Sequence, residues 1–188
     1  MIYGCKDWKN PEAFYIQTNN PTEDILRKSG LVNYLETCGP TAAVNCLAAM
    51  GRNVRIDTPG GYLPQPEEIL TDFFNDPRNY PALQKERPDI KPTDYLGNQV
   101  PQYYPLAIKE VFGCSASFTF ADWNRIVDYL KEGMACQICF VKPGHFVAAI
   151  AYDDTAKEII YNDPMGKFHA RLPEAQQGNI KNYCIYYH

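Results

Sequence analysis

The spacing of apolar positions changes twice along the chain and divides it into three stretches. In "CGPTAAVNCLAAMG", from Cys38 to Gly51, the residues Ala43, Val44, Leu47 and Ala48 recur at helical spacing, and Gly51 stops the run. Thr37 stands where an N-cap belongs. Pro40 falls in the first turn, where a missing N–H costs nothing. Residues 1–51 thus read as an irregular N-terminal part followed by one helix. Residues 52–102 lose that periodicity and are rich in Pro, Gly and Asn. They hold one proline-bracketed helix, in "PQPEEILTDFFNDP", while "RPDIKPTDYLGNQVPQ" reads as ordered loop. Such a loop-rich insertion either shapes a binding cleft or decorates the surface.

From residue 103 the periodicity returns. "YYPLAIKEVFG" predicts a helix ending at Gly113. "DWNRIVDYLKEG" predicts another, with Trp123, Ile126, Val127 and Leu130 on one face. Three strand-like runs follow: "MACQICFV", "HFVAAIAYDD" and "KEIIYND", with Asp153, Asp154 and Thr155 turning between the last two. "NYCIYYH" reads as an added edge strand. Helices first and an antiparallel sheet after predict an α+β fold of two lobes. A length of 188 residues suits a single domain over 1–188.

Charge and composition narrow the function. A net charge of −4 argues against nucleic acid as a partner, because phosphate binding needs a basic surface. No apolar run approaches the roughly 20 residues of a membrane span, and "MIYGCKDWKNPEAF" lacks a signal-peptide core. A cytoplasmic protein without membrane insertion is the expectation. The seven cysteines are odd in number, so reduced thiols are expected. Cys136 and Cys139 form a CxxC, but within a strand, where residues three apart face opposite ways. With no second CxxC or close His pair, neither a metal nor a cofactor is expected.

Three histidines remain to be sorted. His188 is the last residue, and His169 has no evident partner in sequence. His145 opens the strand "HFVAAIAY", so it projects from a rigid element. Pairing around the turn, with positions summing to about 307 in this rough register, sets His145 opposite residue 162. Asn162 or Asp163 then reaches the imidazole, where either can accept from the ring N–H and Asp can also stabilise an imidazolium. Cys38, alone among the cysteines, opens a helix, a position that favours a thiolate. Each residue alone has a plain structural use: a packed thiol, a structural histidine, a turn residue before Pro164. Together they compose a nucleophile, a base and an orienting acid. Acyl transfer, most simply amide hydrolysis, is the matching chemistry, with helix N–H groups available to an oxyanion.

"CGPTAAVNCLAAMG", "GHFVAAIAYDD" and "YNDP" resemble the three signature blocks of papain-like cysteine peptidases of the bacteriocin (double-glycine) leader peptidase type. "DWNRIVDYLKEGMACQICFV" resembles that family's approach to its His block. The resemblance implies a papain-like fold, with a central Cys-bearing helix packed on an antiparallel sheet. It implies Cys38 as nucleophile, His145 as general base and acid, and Asp163 as orienter. It also implies an upstream Gln as the oxyanion-hole amide; "FYIQTNNP" offers Gln17, and Asn33 is the alternative. The family's leader peptidases are commonly fused to a membrane transporter, and no such segment is present here. The implied partner is therefore a protein, peptide or peptidoglycan substrate. A peptidoglycan-cleaving amidase, an acyltransferase with the same triad and a silent binding module remain open, and the sequence leaves the oligomeric state unknown.

Overall fold

The computed structural model describes residues 1–19, 37–56, 65–91 and 97–188. Helix α1 runs Cys38–Ala49, α2 Pro66–Asn75, α3 Tyr80–Glu86, α4 Tyr104–Phe112 and α5 Trp123–Lys131. The strands are β1 (Ile2–Gly4), β2 (Ala116–Phe120), β3 (Ala135–Phe140), β4 (His145–Asp153), β5 (Glu158–Asp163), β6 (Lys167–Pro173) and β7 (Ile180–Tyr187). They form one antiparallel sheet in the order β2-β7-β3-β4-β5-β6, with β1 paired to the far end of β4.

Alternation along the central strands divides the core in two. Cys139, Phe146, Ala148, Ile150, Ile185 and Tyr187 point to one face and pack with α1, α2 and α4. Cys136, Ile138, Val147, Ala149, Ile159 and Cys184 point to the other face, which α5 covers. Cys136 and Cys139 thus lie on opposite faces, as a strand requires. Helix α1 is Ala-rich, and every residue after Cys38 is buried, so it threads the core and exposes only its first side chain. Asp122 caps α5 by accepting from the Arg125 N–H at 2.9 Å.

Four features depart from the sequence reading. The C-terminal strand β7 is interior, between β2 and β3, not an edge. Strands β1, β2 and β6 have too little apolar alternation to read; β2, for example, is half-buried along most of its length. The stretch 52–102 is more helical than its composition suggests, with α2 and α3 placing Leu70, Phe74 and Leu83 in the core. The β4–β5 turn is longer than expected, and Asp153 pairs with Glu158. Asp153 Oδ1 accepts from the N–H groups of Thr155 and Ala156 within that turn. Paired positions therefore sum to 311 near the turn and shift by one at Ala149/Ala151, not to 307.

Candidate active site

The Cys38 end of α1 meets the open end of the β4–β5 hairpin. His145 is the first residue of β4 and Asp163 the last of β5. His145 Nε2–H donates to Asp163 Oδ1 at 2.7 Å, which leaves Nδ1 for the thiol side. The same Asp163 oxygen accepts from the Met165 N–H at 2.9 Å, so the turn after β5 fixes the carboxylate before the imidazole reaches it. Asn162, the other sequence candidate, is turned away: its Oδ1 accepts from the His169 N–H at 3.2 Å. The turn before His145 is tied down from the 3-10 turn that precedes β7, because Asn179 accepts from the N–H groups of Val141 and Lys142.

Cys38 and His145 line the same cleft, and the two side chains interact electrostatically. Burial works against an imidazolium at this position. The bond to Asp163 and the interaction with Cys38 outweigh it and raise His145 from 6.5 to about 9. Burial likewise works against the Asp163 carboxylate, but the bonds from His145 and the Met165 amide hold it below the ordinary carboxylate value. The structure thus brings Cys38, His145 and Asp163 together.

Gln17 opens a 3-10 turn over Gln17–Asn19 and is only 6% exposed. Its N–H donates to the Pro164 carbonyl at 2.8 Å, which seats it beside the acid loop. It lines the same cleft as Cys38 and His145, a cavity of about 510 Å³. Asn33 lies outside the described residues. His169 and His188 are elsewhere: His169 Nε2–H donates to the Trp8 carbonyl at 2.7 Å, and His188 Nε2 hydrogen-bonds Ser117 Oγ at 3.1 Å.

The sequence reading missed the residues that hold the helix end. Gln137, wholly buried in β3, donates from Nε2 to the Gly39 carbonyl at 3.1 Å and accepts from the Tyr187 hydroxyl at 2.6 Å. The Tyr104 hydroxyl donates to the Asn98 carbonyl at 2.7 Å, close against Gly39. A Cβ at residue 39 would collide with that hydroxyl and lie 2.9 Å from the Asn98 oxygen, so only glycine fits. The polar Gln137 inside "MACQICFV" was the one available signal. Also missed were the cleft wall residues Cys139, Lys181 and Tyr183, and Asn98 and Gln99 facing the same space. Burial pushes the Cys139 thiol up. Among the described residues, no group of three or more His, Cys, Asp or Glu side chains could hold a metal ion, and no helix is long and apolar enough to cross a membrane.

Residues 13–186 match the Peptidase_C39 like family. The chain belongs to that family. Its helix-on-sheet α+β architecture is accordingly the papain-like fold, and the domain is of the cysteine-peptidase type. A C39-like peptidase from Bacillus anthracis is a similar solved structure, at 15% identity and a TM-score of 0.35. That similarity covers 47% of this chain and 58% of the other. No curated protein matches the chain.

Proposed function

We propose that this C39-like domain hydrolyses a peptide or amide bond through a covalent acyl-enzyme formed on Cys38. The carrying observation is the meeting of helix end and hairpin end in one cleft: Cys38 and His145 line it together, and His145 is bonded to Asp163 at 2.7 Å. In this reading the sulfur of Cys38, as thiolate, attacks the substrate carbonyl carbon, and the C=O electron pair moves onto oxygen. The first amides of α1, which have no intrahelical acceptors, and the Gln17 side chain stabilise the oxyanion. The His145 imidazolium then protonates the leaving amine as the C–N bond breaks. His145 next takes a proton from water, which attacks the thioester and releases the acid with Cys38 restored. Asp163 holds the ring in the tautomer that this sequence of transfers needs.

The test is alkylation followed by turnover. Iodoacetamide at mildly acidic pH should modify Cys38 ahead of the other six cysteines, five of which are buried. A peptide-library and peptidoglycan digest should give products with the native protein and none with Cys38→Ala. Added amines in the same digest separate hydrolysis from acyl transfer. Equal labelling of Cys38 and the half-buried Cys114, with no products, would leave a binding module and end the proposal.

A further inference from the structure

Lys181 sits on the exposed edge of the cleft, in β7, on the wall that also carries Cys139 and Tyr183. Among the described residues, no Asp or Glu lines this cavity, and its titratable lining is two thiols, one imidazole, one phenol and the Lys181 ammonium. Asp163 stands behind His145, already matched to it. Lys181 makes no ion pair among the described residues, and its ammonium lies 6.0 Å from the centre of the Tyr183 ring. Its charge is felt at Cys139, on the same wall of the cleft. The chain as a whole is acidic, at −4, so an unmatched cation beside the candidate nucleophile runs against the average surface. Gln99, exposed in the 3-10 turn Gly97–Gln99, lines the same cleft and adds an amide that can donate to an anion.

Resting on the peptidase reading above, we infer that Lys181 is a specificity residue that selects a peptide carrying a carboxylate beside the bond to be cleaved. The aliphatic stem of such a residue lies along Tyr183 and Cys139, and its carboxylate meets Lys181. A glutamate side chain and a free chain terminus present the same group. Neutral and cationic residues at that position leave the ammonium unmatched or repelled.

Matched peptides with Glu or Gln scanned through each position, amidated at the C-terminus or left as free acids, test this. Wild type is expected to favour a carboxylate at one position by about fivefold in kcat/KM, less in high salt. Lys181→Met should erase that preference, and Lys181→Glu should turn it toward Lys. A preference seen in amidated peptides assigns the carboxylate to a side chain; one seen only in free acids assigns it to the terminus. Equal cleavage of Glu and Gln peptides, or a preference surviving Lys181→Met, overturns the inference and leaves the peptidase reading standing. A readout independent of turnover is the ratio of Cys38 alkylation rates by iodoacetate and iodoacetamide. Lys181→Met should lower that ratio several-fold. If no peptide is cleaved the peptidase reading fails, and an unchanged ratio then refutes the role of Lys181 as well.

Discussion

His145 and Asp163 stand 18 positions apart on one hairpin, whereas Cys38 enters the same cleft from a helix whose partners lie across the whole fold. The sheet wall is positioned by backbone ladders. Strand β4 is paired along both edges, and its middle residues have no exposure at all. The helix wall is positioned by side chains: Gln137 on the Gly39 carbonyl, Tyr104 on the Asn98 carbonyl, and close contact around Gly39. Ladders are redundant, since a lost side chain leaves the backbone bonds intact. Tethers are not, because a deleted partner orphans a buried polar group at about 1–3 kcal/mol. The two groups proposed to react are therefore held with unequal tolerance to mutation.

The largest effect expected is loss of a reacting group from either wall. His145→Ala and Cys38→Ala should each lower kcat/KM by about 10⁴-fold or more, with the melting temperature near that of the native protein. Folded but fully active Cys38→Ala protein would refute the mechanism. Next comes Gly39→Ala, which strikes the helix wall without touching a reacting atom. Overpacking there should destabilise by roughly 1–3 kcal/mol, and differential scanning calorimetry would show it as a drop of several degrees. An unchanged melting temperature would remove the asymmetry between the walls. Asp163→Ala should cost less than loss of His145, about 10²-fold, because water partly replaces an orienter.

The pH dependence sharpens the comparison further. His145 is raised from 6.5 to about 9 in the folded protein. The stability it contributes is fully present below 6.5 and lost as pH rises through about 9. In the proposed mechanism the proton it lends to a leaving group is lost over the same upper range, so kcat/KM should fall above pH 9. Asp163→Ala should move that fall to lower pH, because one of the bonds sustaining the imidazolium is gone. A fall at the same pH in both proteins would detach Asp163 from His145.

The smallest effect belongs to Glu67, buried on α2 within the helical lobe. Burial pushes its carboxyl from 4.5 up to about 7, and its own N–H offsets this only in part. No other described residue donates to either oxygen. The sign is opposite to that of a paired acid such as Asp163. Glu67 is harmless while protonated, below 4.5, and its charge costs stability as pH rises through about 7. Glu67→Gln should therefore stabilise on the order of 1 kcal/mol at pH 8 and give no gain at pH 4. Thermal melts at the two pH values decide it.

Local signals made part of this legible in the sequence. Cys38 was readable because Thr37, Pro40 and Gly51 bracket its helix, and His145 because it begins a long apolar strand. Asp163 was reached by turn counting that was wrong in register. A four-residue connection, 154–157, replaces the tighter turn, and an irregularity near Ile150 shifts the pairing back by one. The expectation still led to Asp163, because a carboxylate at a strand end has reach enough to absorb that error. Gln17 was found only through resemblance. The bond that seats it joins positions 17 and 164, and no periodicity reports a contact of that separation. Lys181 and Tyr183 stayed hidden for the same reason, and because the C-terminal strand was read as an edge rather than as a neighbour of β3.

The hydrogen bond from the Gln17 amide to the Pro164 carbonyl has an engineering corollary. The strand-end acid and the upstream glutamine share a peptide group as common footing, so they form one transplantable unit. Grafting this site onto another scaffold would require moving both loops at once, since a hairpin carried alone would bring its histidine and aspartate but leave behind the strap laced to them.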